Sequence, residues 1–202
     1  QLSALWSDAI DASDATDKFK STLSFAGLDD GTISSLTDQV QAYADKTVYS
    51  LSDIQSITSQ LAANGVSDYE QLAEAAGNLN AVAGGNAETY KSVGMVLTQT
   101  AGAGKLTTEN WNQLANAIPG ASGKLQDALS EAGAYTGNFR DAMADGQISA
   151  EEFNKALLSL GMTDVAADAA TSTSTIEGAV GNLKATVVGG LSDIITSHKP
   201  QI

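Results

Sequence analysis

The sequence predicts an all-α protein, a multi-helix bundle of about ten short-to-medium helices with no sheet. Three observations carry that expectation. Apolar residues recur at i, i+3, i+4 and i+7, as in Tyr69, Leu72, Ala73, Ala76 and in Phe153, Ala156, Leu157, Leu160. Helix-start signatures punctuate the chain, in which a hydroxyl accepts from the N3 amide while a Glu or Gln three residues on reaches back. Proline occurs only twice, at Pro119 and Pro200, so helices can run almost everywhere. No stretch alternates with period two.

In chain order, the start and stop signals place helices at 2–25, 31–46, 52–64, 67–83, 87–100, 107–118, 121–132, 136–144, 149–160 and 175–197. Four of the starts fit a capping box: Ser52 with Gln55, Ser67 with Glu70, Ser149 with Glu152, and Ser174 with Glu177. Gly65 and Gly161 stand where helices should stop, since glycine takes the left-handed C′ conformation at little cost. The scarce large side chains Trp6, Trp111, Tyr69, Tyr90 and Phe153 are expected to anchor an alanine-rich core of closely packed helices.

One stretch echoes another. Gly104 to Asn112, GKLTTENWN, aligns with Gly146 to Asn154, GQISAEEFN. Each reads as a glycine turn, an apolar N′ residue, a hydroxyl N-cap and an aromatic at N4. Leu106 is then expected to staple onto Trp111, and Ile148 onto Phe153. Duplication of one unit and convergence on good capping chemistry both account for the echo, and two copies are too few for a solenoid.

The compact helical domain is expected over 1–162. A polar linker or weak helix follows at 163–175, TDVAADAATSTST, where large apolar residues run out. Residues 176–202 then read as an amphipathic C-terminal helix. Its stripe of Ile176, Val180, Leu183, Val187 and Ile194, with Gly190 in the remaining slot, fits a coiled-coil seam with one hole. The same stripe fits equally well onto the body of the domain.

Composition removes several function classes. The formal net charge is −14, which disfavours direct binding to nucleic-acid phosphate, because that affinity comes from releasing counterions at cationic contacts. The chain has no cysteine, so disulfides, thiol nucleophiles and thiolate metal sites are excluded. No run reaches the roughly 18 apolar residues of a membrane span, and no basic-then-apolar leader opens the chain. Gln1 is not an initiator methionine, which suggests a piece of something longer.

The candidate chemistry is thin. Asp141, Met143, Asp145, Gly146, Ile148 and Glu152 fall at positions 1, 3, 5, 6, 8 and 12 of an EF-hand loop, with Ser149 at 9. Met143 offers calcium no oxygen, and Glu152 already has a task in the cap of Ser149. The carboxylates Asp141, Asp145 and Glu152 are therefore the best metal-ligating candidates, yet no metal and no other cofactor is expected. GAGKL (Gly102 to Leu106) and GASGKL (Gly120 to Leu125) look like phosphate loops. Both place Leu where magnesium binding needs Ser or Thr, and Gln99 and Ile118 stand where the first glycine belongs. His198, the only histidine, sits beside Lys199-Pro200 and supports no triad or metal site. Asp29-Asp30 and Glu151-Glu152 read as turn and cap residues, not as paired catalytic acids, so no enzyme is expected.

The ordered phrases of the chain resemble a known family. DKFKSTLSFAGLDDGTIS (Asp17 to Ser34), ADKTVYSLSDIQ (Ala44 to Gln55), the stretch from Ala75 to Gln126, GAYTGNFRDAMADGQISAEEFN (Gly133 to Asn154) and STIEGAVGNLKA (Ser174 to Ala185) together resemble tail tape measure proteins of phages and prophages. The resemblance runs from about Asp14 to about Leu191. It implies a structural role in tail assembly, length determination and later DNA ejection. The location implied is the lumen of the virion tail, after synthesis in the bacterial host cytoplasm. Implied partners are the tail tube, the tail tip, assembly chaperones and a second copy of the chain, with no membrane segment in this stretch. Strong acidity suits a protein in a conduit that DNA must cross. A helical interaction module, docking a tail chaperone or another phage protein, is the alternative reading. Some tape measure proteins carry a peptidoglycan hydrolase domain. Its cysteine–histidine form is excluded here, and no glutamate-based form is recognisable.

Overall fold

The computed structural model describes residues 2–172, with side chains from Asp14 onward. Among these residues there are ten α-helices and no strand: α1 Leu2–Phe25, α2 Asp30–Asp45, α3 Leu51–Ala63, α4 Tyr69–Val82, α5 Ala87–Ala103, α6 Thr108–Ala117, α7 Pro119–Glu131, α8 Phe139–Ala144, α9 Ala150–Gly161 and α10 Asp164–Thr171. The all-α expectation holds. Nine of the ten helices lie where the sequence places them, within a few residues at each end. The tenth expected helix, at 175–197, and the cap of Ser174 and Glu177 lie outside the described residues. The short helix α10 occupies the stretch where large side chains run out, and it buries Ala166 and Ala170.

The chain divides into two compact units, the first running to Ala63 and the second over Asn64–Ala170. In the first, α1, α2 and α3 pack on one another. Phe19 and Leu23 of α1, Ile33, Leu36 and Val40 of α2, and Ile54, Ile57 and Leu61 of α3 form its core. Tyr43 and Tyr49 stack with ring centroids 6.4 Å apart. α2 starts at Asp29, whose carboxylate accepts from the Thr32 amide at 2.7 Å. That bond, with the Thr32 side chain foremost, holds the Asp29 pKa below its ordinary value.

In the second unit, α4 packs against α9 and α5, α5 against α6 and α9, α6 against α7 and α8, and α7 against α9. Its core includes Leu72, Leu79, Tyr90, Val93, Leu97, Leu114, Leu125, Leu129 and Leu157. Trp111 meets Phe139 edge to face, with centroids 4.7 Å apart. Pro119 begins α7 at the position where its missing N–H costs nothing.

Three local expectations need correction. The cap of α3 is Ser50, not Ser52: Ser50 Oγ accepts from the Asp53 amide at 3.2 Å. Gln55 is thereby freed from any box and turns inward, where its Nε2 donates to Thr16 Oγ1 at 2.8 Å. The cap of α4 is Asp68, not Ser67, and its side chain makes no capping bond. Gly161 is not a left-handed stop, as it has no positive φ and closes α9 as a helical residue. Glycine is needed there because α4 crosses so closely that a Cβ would collide with the Ala75 carbonyl. Asn78 Nδ2 donates to the Gly161 carbonyl at 2.9 Å across the same crossing. Among the expected anchors, Tyr90, Trp111 and Phe153 are buried, while Tyr69 is only half-buried.

Candidate functional site

Two features stand out in the second unit: a pair of matched turns and a cleft beside one of them. The turns are the two echo segments. α5 ends at Gly104 (φ 77) and α8 is followed by Gly146 (φ 70), each left-handed. In both, one extended apolar residue then leads into a hydroxyl cap. Thr107 Oγ1 accepts from the Asn110 amide at 3.2 Å, and Ser149 Oγ from the Glu152 amide at 3.0 Å. Leu106, Ile148 and Phe153 are fully buried and Trp111 nearly so, as stapled starts require.

What the sequence did not foretell is that the two turns bind each other. The Leu106 amide donates to the Ile148 carbonyl at 2.9 Å, and the Ala150 amide donates to the Gly104 carbonyl at 3.1 Å. Lys105 and Ser149 thus form an antiparallel bridge, which is isolated among the described residues. In that register Leu106 lies opposite its own echo mate, Ile148. Spare backbone groups at the two turns satisfy one another, as buried peptide groups must.

The EF-hand-like residues take up other positions and tasks. Asp141 lies in α8, whose Asn138 cap accepts from the Arg140 and Asp141 amides. Asp145 follows α8 as its C-cap, exposed. Met143 is buried. The Glu152 carboxylate accepts from the Ser149 amide at 3.0 Å and completes a reciprocal capping box. Among the described residues, no group of three or more His, Asp or Glu side chains converges as a metal site would require. The interaction stripe of Ile176, Val180, Leu183, Val187 and Ile194 lies outside the described residues.

The cleft has a volume of about 280 Å³ and is built by four segments: the loop after α3, the start of α4, the end of α5 and one face of α9. Its floor is apolar, from Val66, Leu72, Ala101 and Leu158. Its polar rim includes Asp68, Glu151, Asn154 and Lys155. Two irregularities meet there. Asp68 is the one non-glycine residue of positive φ (55) among the described residues. Asn154 Oδ1 is buried yet accepts no hydrogen bond from the protein, a state that costs about 1–3 kcal/mol. Glu151 and Lys155 pair one turn apart at 3.3 Å, both well exposed. Sequence reading missed the cleft because its walls come from residues up to ninety-odd positions apart. The one local signal is Asp68 itself, an acid next to Ser67 at the start of α4.

The family model described as tape measure protein matches residues 7–196. The chain belongs to that family and is a structural component of a phage tail. No curated protein matches the chain, and no solved structure does. Among the described residues, no helix is long and apolar enough to cross a membrane.

Proposed function

We propose that this domain takes part in tail assembly and in fixing tail length, resides in the tail lumen, and leaves it when DNA is ejected. The family match over residues 7–196 carries this reading. Synthesis in the host cytoplasm and contact with tail tube, tail tip and assembly chaperones follow from it. The formal charge of −14 supports it too, since a protein sharing a conduit with DNA is kept off the duplex by like charge. The direct test is deletion of Asn64–Ala170, one of the two compact units, from the gene in a phage. Tail lengths are then measured by electron microscopy. Shortened, otherwise complete tails support a length-setting role. Tails of unchanged length overturn it. Failure to form tails at all would favour the second reading, a module that docks other assembly proteins, which the cleft favours.

The domain organisation 1–162, 163–175 and 176–202 belongs to the same proposal. The C-terminal stripe acts as a seam for another helix or a second copy. Aspartates at Leu183 and Val187 should abolish self-association while leaving the preceding region folded, because an unpaired charge in a dry interface is expensive. Cooperative unfolding of the whole domain in that double variant would assign the stripe to the core instead.

A further inference from the structure

We infer that Asn64 is a site of spontaneous deamidation, and that the reaction loosens the start of the second unit. The inference stands apart from whether the domain sets tail length. Asn64-Gly65 is the only Asn-Gly pair in the chain. A glycine after asparagine leaves the nucleophilic amide nitrogen unshielded, since it carries no side chain. The pair follows Ala63, the last residue of α3, and opens the second unit. Both residues are exposed. The left-handed glycines Gly27, Gly84, Gly104, Gly133 and Gly146 each donate their amide to a carbonyl of the preceding helix. Gly65 (φ 73) is left-handed too, but among the described residues nothing accepts from its amide. Asp145-Gly146 makes the contrast direct. It sets a side chain of the same length before a left-handed glycine, yet the Gly146 amide is committed to the Met143 carbonyl at 3.1 Å. Removing the proton from a bonded amide costs that bond as well.

The reaction needs only water and solvent base. Base takes the Gly65 N–H proton, and the nitrogen attacks Asn64 Cγ. A C–N bond forms, the Cγ–Nδ2 bond breaks, and Nδ2 takes up a proton and leaves as ammonia. The product is a five-membered succinimide. Water then opens the ring at either carbonyl, giving aspartate or isoaspartate at position 64 with no change of oxidation state. Each product adds one negative charge at neutral pH. Isoaspartate also routes the backbone through Cβ and Cγ, which lengthens it by a methylene. The surroundings oppose the new charge. Asn64 Oδ1 lies 3.8 Å from where a Cβ on Gly102 would stand, in the last turn of α5. The carbonyl end of a helix disfavours an anion. Asp68 and Glu151 line the same cleft as Asn64, so like charges gather there.

The test ages the full chain in neutral and in mildly alkaline buffer, both folded and in urea. Peptide mass spectrometry follows the exchange of NH2 for OH at every asparagine. Isoaspartate is counted by methyl transfer from S-adenosylmethionine with an isoaspartate methyltransferase. Asn64 should convert severalfold faster than any other asparagine, at a rate close to that in urea, and faster in the alkaline buffer. The Tm of the folded protein should fall as conversion proceeds. Asn64→Gln should stop the change at this position and hold Tm constant, since a six-membered ring closes far more slowly. Gly65→Asn suits the left-handed backbone and should slow conversion manyfold by shielding the nitrogen. Asn64→Asp should lower Tm from the start. Conversion at Asn64 no faster than at the exposed Asn112 would overturn the site. So would conversion far slower in the folded chain than in urea, because the fold would then hold the nitrogen away from Cγ. Conversion with no loss of Tm, or an Asn64→Asp variant as stable as the parent, would overturn the loosening.

Discussion

The two turns that meet at the Lys105–Ser149 bridge share a skeleton and differ in what hangs on it. Both have a left-handed glycine, a buried aliphatic, a hydroxyl cap and a buried aromatic. Where the second copy carries Asp141, Met143, Asp145 and Glu152, the first carries Gln99, Ala101, Ala103 and Asn110. The first turn thus forms with none of the carboxylates, which places the cause of the shape in packing and capping. The last residues of the echo differ in environment, not in type. Asn112 is exposed, whereas Asn154 is half-buried, lines the cleft and has a buried oxygen with no hydrogen-bond partner. A repeated frame can therefore hold the fold at both turns while the second supplies Ala150, Glu151 and Asn154 to the cleft lining and the first Ala101 alone.

The largest effect should come from the aromatics. Phe153→Ala should cost about 3–5 kcal/mol in unfolding free energy by denaturant titration, and Trp111→Ala a similar amount. If either costs under about 1 kcal/mol, the two helix starts are not equivalent packing units and the comparison breaks. Next come the turn glycines. Gly104→Ala and Gly146→Ala should each cost about 1–2 kcal/mol, the penalty of a side chain in left-handed backbone. Position 104 has open space for a methyl, while at 146 it would press on the flexible Lys105 side chain. The two values should accordingly be close, with 146 no smaller.

The caps sharpen the comparison further. Ser149→Ala should cost about 1 kcal/mol, and Thr107→Ala somewhat less, because only Ser149 belongs to a reciprocal box. Equal losses would show that the Glu152 half of that box adds nothing. Smaller still is the expected response to calcium. Millimolar calcium should leave Tm unchanged, since Glu152 is engaged by the Ser149 amide and Met143 is buried. A rise of several degrees would show that the second turn binds the ion in its native state. The weakest effect concerns charge at a cap. Asp29 has a pKa below its ordinary 3.8, so its contribution is present above that value and lost as pH falls through the lowered one. The hydroxyl cap of α6, Thr107, carries no such dependence. The Thr32 amide signal followed in an acid titration should move there while that of Asn110, capped by a hydroxyl, does not follow the same curve.

Helix existence was legible in the sequence because it depends on local spacing. Apolar periodicity placed α2 to α9, and the echo segments named both of their caps correctly. Caps were misplaced where neighbouring polar residues competed for the position, as Ser50 with Ser52 and Asp68 with Ser67. Gln55 shows why: its inward bond to Thr16 spans 39 residues, and no local pattern carries that information. The cleft was illegible for the same reason, since Asp68 and Asn154 become neighbours only when α4 packs on α9. The carboxylates of the second turn were legible as a pattern, and the same sequence already supplied their competing task in the cap of Ser149.

Gly161 and Gly65 would look alike to anyone scanning the chain for helix stops, yet a library of variants should separate them. At position 65 a left-handed backbone with open space around it should admit asparagine, and with some loss other residues. At position 161 the neighbour is the Ala75 carbonyl of α4, a piece of backbone that cannot rotate aside. Selection for folded protein should therefore return glycine almost alone at 161. The strictest letter in this part of the chain would then record the distance between two helices, with no turn involved.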